Sequence, residues 1–240
     1  MARSIFLSTP LDVLVVSSGG VGTTFLMRAI GKHLRLNDPD NKDGLKHLPI
    51  PPLLRIPTPK AIYVFGDPEL ACLSLFRRQY HHTQSTITQH FYPREYIVPF
   101  SDDIEAYLAQ PKEGFFFRRH FSNWRNLPTA YPVLFLRYES IHDQLPLIAQ
   151  YLGLGEAFIA DFPPRQARNS TLETLDPLLR TKLSERYGTF RDELKALPDA
   201  WVKPAAKAGL PLSKPYRRAY YEALRRQVPT LVNLAKKLRR

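Results

Sequence analysis

The chain has 240 residues, 44% of them hydrophobic, and a formal net charge of +12. This length can bury one substantial core, whereas two full domains would be cramped. Cys72 is the single cysteine, which excludes an internal disulfide and a thiolate metal cluster and gives no sign of an oxidising compartment. No apolar run reaches the roughly 18 residues of a membrane span, and the first residues lack a signal-peptide pattern. We therefore expect a cytoplasmic protein.

Strands and helices alternate along the first 155 residues. Short apolar runs of the kind found in buried strands occupy residues 11–17, 61–66 and 131–139,. Helical spacing of apolar residues predicts helices over 22–36, 67–80, 101–110, 113–126 and 140–154,. A further helix, or a helical pair broken near Gly188, is predicted over 172–197. This alternation favours an α/β domain over residues 1–200, with a central parallel sheet flanked by helices.

Residues 201–240 form a basic tail with eleven Lys and Arg and one acid, Glu222. A linker containing proline is followed by an amphipathic helix, with Pro229 expected to kink or split it. A basic amphipathic helix over 213–240 suits the surface of an anionic membrane. The alternative is a docked helix with a solvated basic face. The rest of the chain is nearly neutral and RNA-binding motifs are absent, so no specific nucleic-acid partner is expected.

The stretch "VVSSGGVGTTFL" at residues 15–26 runs from a strand through a glycine turn into a helix. Such a turn directs backbone N–H groups and the positive end of the helix dipole at one point, which suits a phosphate or sulfate. The alternative is a tight turn that binds nothing. As a Walker nucleotide-binding sequence the turn fails twice, since Ser17 stands at the first glycine position and Thr23 at the lysine position.

Three stretches in order resemble cytosolic-type sulfotransferases. "GGVGTTFL" is similar to the family's phosphosulfate-binding loop, "LKHLP" at 45–49 to its Lys-Thr-His-Leu-Pro segment, and "AIYVFGDPELACLSLFRR" to its Ile-Tyr-Val-x-Arg-Asp-Pro segment. "PVLFLRYESI" and "YLGL" are similar to its later strand and helix. The resemblance covers roughly residues 11–155 and implies a three-layer, P-loop-type fold with a C-terminal helical extension. It also implies the donor 3′-phosphoadenosine 5′-phosphosulfate.

The resemblance implies a donor site with two departures from the family. The implied residues are Gly19, Gly20, Val21, Gly22, Thr23, Thr24, Phe25, Ser74, Arg77 and Arg78. Gly20 stands where the family has its loop lysine, and Gly66 where the family has the arginine that binds the 3′-phosphate. If residues 68–80 are helical, Arg77 or Arg78 lies on the face of Ser74 and could replace that arginine. Without replacement, donor binding would be weaker by several orders of magnitude.

His47 and Lys46 are the implied catalytic residues. The match at "HLP" implies that His47 is the general base, because a histidine titrates near neutral pH. Lys46 could stabilise the leaving phosphate or replace the missing loop lysine. The alternative is that His47 is an ordinary loop histidine. No cluster of carboxylates, histidines or cysteines has ligand spacing, so no metal is expected.

These residues predict a sulfotransferase acting on a hydroxyl or amine of a glycan, lipid or small metabolite. Two alternatives stay open. One is a kinase-like, Mg²⁺-dependent transferase whose donor lacks a 3′-phosphate, which the absent arginine at Gly66 favours. The other is a binding or scaffold protein that has lost the chemistry and works through its basic tail.

Overall fold

A four-stranded sheet lies at the centre of the computed structural model, which describes residues 11–52, 59–89, 97–165, 171–173 and 175–206. The strands are β1 (Leu14–Ser17), β2 (Ala61–Phe65), β3 (Val133–Arg137) and β4 (Ala200–Lys203), side by side in that order. β1, β2 and β3 pair in parallel, and β4 pairs with β3 in antiparallel orientation. The three predicted strands and the α/β class are confirmed. The predictions for 213–240 lie outside the described residues.

Every residue of β1 and β2 is buried, as are the first four of β3. A strand that is covered on both faces has apolar side chains along its whole length, so its sequence is a continuous apolar run. This is why the sequence alone predicts these three strands. One face is aromatic: the ring of Tyr63 packs against Phe121, Trp124 and Phe135, with centroids 5.9, 5.6 and 5.3 Å away. The aromatic part of the core therefore lies between the sheet and the helix that carries Phe121 and Trp124.

Eight helices flank the sheet in the described part of the chain. They are α1 (Thr23–Ile30), α2 (Pro68–Arg77), α3 (His81–Gln89), α4 (Ile104–Ala109), α5 (Phe117–Asn126), α6 (Leu145–Leu152), α7 (Glu156–Ala160) and α8 (Pro177–Lys195). α2 begins as its sequence predicts: the Asp67 side chain accepts hydrogen bonds from Glu69 N and Leu70 N, and Pro68 is its first residue,. α6 ends at Gly153 in the left-handed conformation,. None of the described helices is both long and apolar enough to cross a bilayer.

Helix α8 continues through Gly188, so of the two predicted alternatives the single helix is the one that the structure has. A Cβ at position 188 would lie 3.1 Å from Ser184 Oγ, and the glycine faces the contact of α8 with α2. There Arg191 Nη1 lies 2.7 Å from Glu69 Oε1 of α2. The atom of α2 nearest to a Cβ at position 188 would be Glu69 Oε1 at 3.9 Å, an ordinary contact, so the glycine lies beside this ion pair within an unbroken helix.

Helix α3 and strand β4 were not predicted. The buried side chains of α3 are polar, namely His81, Gln84, Ser85, Thr88 and Gln89, so the helix has no apolar stripe for a sequence pattern to reveal. β4 is four residues long and only partly buried, and its pairing with β3 is a long-range contact. It also starts at residue 200, where we expected the domain to end.

The outer edge of β1 is covered by the loop over residues 35–47. The Asn37 side chain accepts a hydrogen bond from Val15 N at 2.8 Å and donates one to Val15 O at 2.9 Å. Ser17 N donates to Lys46 O at 3.0 Å. The loop thus uses the hydrogen-bonding groups of an edge strand, and it brings Lys46 and His47 to the end of β1.

Candidate functional site

A cleft opens at the carboxyl end of β1, where the chain enters the glycine turn. Its volume is about 910 Å³, within the range of small-molecule sites. Its walls come from α1, from the loop over 39–47 and from the stretch over 75–87 that ends α2 and begins α3. The predicted site residues that line it are Gly19, Gly20, Gly22, Thr23, Thr24, Phe25, Lys46, His47 and Arg78. The structure therefore brings both predicted catalytic residues to the glycine turn.

Gly20 explains why this turn has no lysine of its own. Its φ is +74°, in the left-handed region, and an added Cβ would lie 2.5 Å from Ala71 O in α2. Backbone atoms of a helix cannot give way as a flexible side chain does, so α2 would have to shift for any larger residue. A lysine at position 20 is incompatible with this packing, and a positive charge must come from elsewhere.

Lys46 supplies that charge. Its Nζ donates to Thr24 Oγ1 and to Pro39 O, each at 2.6 Å. The side chain is buried at the cleft, and burial first, then the charge of Arg78, lowers the pKa of Lys46 to about 8,. An ammonium group has three N–H donors, and these two oxygens use two of them. The third is available for an anion in the cleft.

The two threonines of the turn have different roles. Thr24 at the start of α1 accepts the hydrogen bond from Lys46. The Thr23 hydroxyl instead donates to Ser17 Oγ at 2.7 Å, and Ser17 Oγ also accepts from Gly19 N at 3.2 Å. Thr23 therefore stabilises the turn through Ser17. We expected its hydroxyl to donate to a ligand, but the hydroxyl proton is used in the bond to Ser17.

The hydrogen bonding of His47 leaves one of its ring nitrogens able to accept a proton. Its Nδ1 donates to Ser17 O at 2.8 Å, which makes Nε2 the nitrogen with the lone pair. Burial lowers the pKa of His47 to about 4, against the opposing effect of the bond to Ser17. The imidazole is therefore neutral at pH 7, and it lines the same cleft as Lys46.

A carboxylate lies where the family resemblance implies a phosphate-binding arginine. A Cβ at Gly66 would lie 3.1 Å from both carboxylate oxygens of Glu139. Glu139 Oε1 also accepts from Asp67 N at 3.3 Å. The carboxylate of Glu139 therefore occupies the space that a side chain at position 66 would take.

Ser74, Arg77 and Val21 do not line the cleft, contrary to the prediction. Ser74 and Arg77 lie on α2, where Ser74 is half-buried and Arg77 exposed. Arg78 follows the end of α2 and turns back, with Nε donating to Ser74 O at 3.1 Å. Its charge lowers the pKa of both Lys46 and His47, with burial as the larger cause in each. Of the two arginines, Arg78 is therefore the one placed to meet a ligand.

Val21 and Phe25 are held by packing. Val21 is buried in the core, where it meets the aromatic side of the sheet rather than the cleft. Phe25 is half-buried, with its ring centroid 5.5 Å from Phe162 and 5.9 Å from His142. Phe25 can still present one face to the cleft, whereas Val21 has no contact with it.

Sequence reasoning missed several lining residues. Arg28 and Lys32 follow Thr24 at intervals of four and line the cleft with it, so helical spacing could have identified them. Gln84, from the unpredicted α3, also lines the cleft, and no sequence signal marks it. Arg28 lies 3.9 Å from Asp40 across the opening. Four cationic side chains therefore line the cleft and make its electrostatic potential positive: Arg28, Lys32, Lys46 and Arg78.

Among the described residues no group of three or more His, Cys, Asp or Glu side chains could hold a metal ion. Comparison with protein-family models, curated proteins and solved structures finds no match to this chain. Any inference about function therefore depends on the residues and the geometry of the cleft.

Proposed function

We propose that this chain is a sulfotransferase with a P-loop-type, three-layer fold, and that its donor is 3′-phosphoadenosine 5′-phosphosulfate. The acceptor is a hydroxyl or amine of a glycan, lipid or small metabolite. One observation carries the proposal: a glycine turn at a helix start, the buried ammonium of Lys46 and the neutral imidazole of His47 line the same cleft. The first two favour an anionic donor, and the third favours proton removal from an acceptor.

The donor's phosphosulfate binds at the turn. The first N–H groups of α1 and the positive end of its dipole attract an anion there. Lys46 adds the charge that Gly20 cannot carry, and Arg78 and Arg28 approach Lys46 closely enough to affect its pKa, though less than burial does. An anion among these three cations relieves their mutual repulsion. The 3′-phosphate binds towards Arg78, away from Glu139.

His47 is the general base. Its Nε2 takes the proton of the acceptor while the acceptor oxygen or nitrogen forms a bond to sulfur. The bond from sulfur to the bridging phosphate oxygen breaks, and 3′-phosphoadenosine 5′-phosphate leaves with the electron pair. Lys46 stabilises the charge that develops on the leaving phosphate. The nearby anionic donor favours protonated His47, so the donor complex is more basic at Nε2 than the free protein.

A second candidate is a transferase whose donor lacks a 3′-phosphate, such as a kinase-like enzyme that uses a nucleotide with Mg²⁺. Gly66 favours it, because no arginine stands at this position to bind a 3′-phosphate and the carboxylate oxygens of Glu139 lie where its side chain would start. The turn, Lys46 and Arg78 would serve such a donor equally well.

Calorimetric titration distinguishes the two donors. We expect the protein to bind 3′-phosphoadenosine 5′-phosphate in the micromolar range and ADP with Mg²⁺ far more weakly. His47→Ala should bind the bisphosphate as the wild type does, yet lose transfer of labelled sulfate from the donor to a panel of hydroxyl and amine acceptors. The matched control is His33→Ala, since His33 is exposed and outside the cleft.

Tight binding of ADP with Mg²⁺ alone would replace the proposal by the second candidate. Absence of binding by both nucleotides would indicate a protein without donor chemistry. Transfer retained by His47→Ala would remove His47 from the role of base.

A further inference from the structure

Gln84 links α3 to the glycine turn. Its side chain is 5% exposed, and its Nε2 donates to Ser18 O at 2.7 Å. We propose that Gln84 is a positioning residue, which fixes the orientation of the Ser18–Gly19 peptide and with it the path of the turn that leads to the N–H groups at the start of α1. The inference rests on the proposed function, because it concerns the same anion-binding turn.

Both ends of this peptide are held. Gln84 holds the carbonyl oxygen of Ser18, and the N–H of Gly19 donates to Ser17 Oγ at 3.2 Å. The C=O and N–H of a trans peptide point in opposite directions, so the two bonds specify one orientation between them. A bond to either end alone would restrain the peptide less.

Without these bonds the peptide has an alternative orientation. Gly19 has a φ of +97°, and a glycine populates both signs of φ at similar cost. Rotation of the peptide would break both bonds and would redirect the chain before it reaches the start of α1, where N–H groups can face an anion. The bond from Gln84 opposes this rotation.

The residue at position 19 must also be small for Gln84 to reach the turn. A Cβ at Gly19 would lie 2.5 Å from Gln84 Cδ and 2.8 Å from its Nε2. The amide therefore lies directly against the Cα of Gly19. Gly19 and Gln84 form one structural unit although 65 residues separate them.

Helix α3 is held by polar contacts of this kind. Its buried face is polar, and the Thr88 hydroxyl donates to Gln84 O within the helix at 2.8 Å. Both ring nitrogens of buried His81 lack a partner among the described residues. The His81 ring stacks on Phe76 of α2 with centroids 4.4 Å apart, and the bonds of Gln84 and Gln89 connect the helix to other segments. The bond to Ser18 is the one among these that reaches the turn.

The test is Gln84→Met, which keeps the length of the side chain and removes its N–H donors. The matched control is Gln89→Met, because Gln89 is on the same helix, is also 5% exposed, and accepts from Val98 N at 2.8 Å away from the turn. We expect Gln84→Met to bind pyrophosphate and 3′-phosphoadenosine 5′-phosphate about tenfold more weakly than the wild type. Gln89→Met should keep wild-type affinity.

Ser17→Ala removes the bond at the other end of the peptide and should weaken binding of the same two ligands. Ser17→Ala also removes the bond from the Thr23 hydroxyl, so Gln84→Leu, which likewise has no N–H donor, replaces Gln84→Met as the test if that variant does not fold, which circular dichroism and thermal unfolding will reveal. Wild-type affinity in the folded variants would overturn the role of Gln84 and leave the proposed function intact. Failure of the wild type to bind either ligand would overturn both.

Discussion

The pKa of Lys46 couples anion binding to pH. Burial and the charge of Arg78 disfavour the ammonium form and lower the pKa to about 8. An anion in the cleft favours that same form, so its binding raises the pKa again. The protein must take up a proton to bind an anion wherever the free amine is neutral. Affinity is therefore greatest below the pKa of the free protein and falls above it.

Sulfate is a suitable probe, because it stays a dianion at every pH at which the protein is folded. We expect its affinity to be constant between pH 6.5 and 7.5 and to fall by up to about tenfold per pH unit above about pH 8. Calorimetric titration over this range measures the effect. Lys46→Arg should keep its affinity at pH 9, because a guanidinium does not lose its proton. A parallel decline in both proteins would exclude Lys46 as the titrating group.

The loop over 35–47 has no regular structure, yet two hydrogen bonds of the Asn37 side-chain amide attach it to β1. Asn37 is 1% exposed, and its two bonds satisfy both backbone groups of Val15. The same loop continues to Lys46, whose carbonyl accepts from Ser17 N. Asn37 therefore contributes to the positions of Lys46 and His47 as well as to the stability of the sheet.

Asn37→Ala should leave the N–H and C=O of Val15 buried and unpaired. Each such group costs about 1–3 kcal/mol, so the free energy of unfolding should fall by about 2–6 kcal/mol. Urea denaturation measures the change. Asn126→Ala, on the exposed last turn of α5, is the control and should change it by less than about 0.5 kcal/mol,. Equal stability of the two variants would show that water replaces the amide at the edge of β1.

At the scale of the whole molecule, two neutral histidines make folding sensitive to acid. Burial lowers the pKa of His47 to about 4 and that of His120 to about 3. In the unfolded chain both bind protons near the ordinary pKa of 6.5. Between these values the unfolded state binds more protons, so the free energy of unfolding rises with pH from about 4 to 6.5. Glu113, whose pKa burial raises to about 7, acts in the opposite direction.

Replacing one histidine isolates its share of this dependence. His120→Asn keeps a polar atom for the bond between Nδ1 and the Tyr63 hydroxyl, which is 2.9 Å long, and removes the titration. The pH dependence of its unfolding free energy between pH 4.5 and 6 should be lower than that of the wild type by about 1.4 kcal/mol per pH unit. Urea denaturation at several pH values measures it. His33→Asn, at an exposed position, should match the wild type; identical slopes for His120→Asn would mean that His120 is protonated in the folded protein.

The part of the fold that could be predicted is the part that local patterns encode. β1, β2 and β3 are continuous apolar runs because helices cover both of their faces, and Asp67 with Pro68 marks the start of α2. α3 could not be found, because its buried residues are polar and the bonds of Gln84 and Gln89 to other segments depend on the tertiary fold. The sequence also left open whether a helix breaks near Gly188, because glycine has a low helix propensity wherever it stands; the structure has one helix there.

For the candidate site, the sequence indicated the turn and the loop but not their contacts. The glycines and the "KHLP" stretch marked Gly20, Lys46 and His47, and the structure brings these residues together. That Lys46 would bond to Thr24, and that Glu139 would lie beside Gly66, depends on tertiary packing between distant segments. Ser74 and Arg77 were chosen by their spacing on one helix, which does not specify the side of the helix that meets the cleft.

The amide of Asn37 also affects how copies of this protein meet. An edge strand with open N–H and C=O groups can pair with the edge strand of another molecule, and such pairing begins domain swapping and fibril growth. On β1 the positions that an incoming strand would use at Val15 are taken by one side chain of the same molecule. The sheet cannot be extended there unless the loop over 35–47 first detaches, and that detachment would remove Lys46 and His47 from the cleft. Self-association through β1 and an assembled site are mutually exclusive states of the chain.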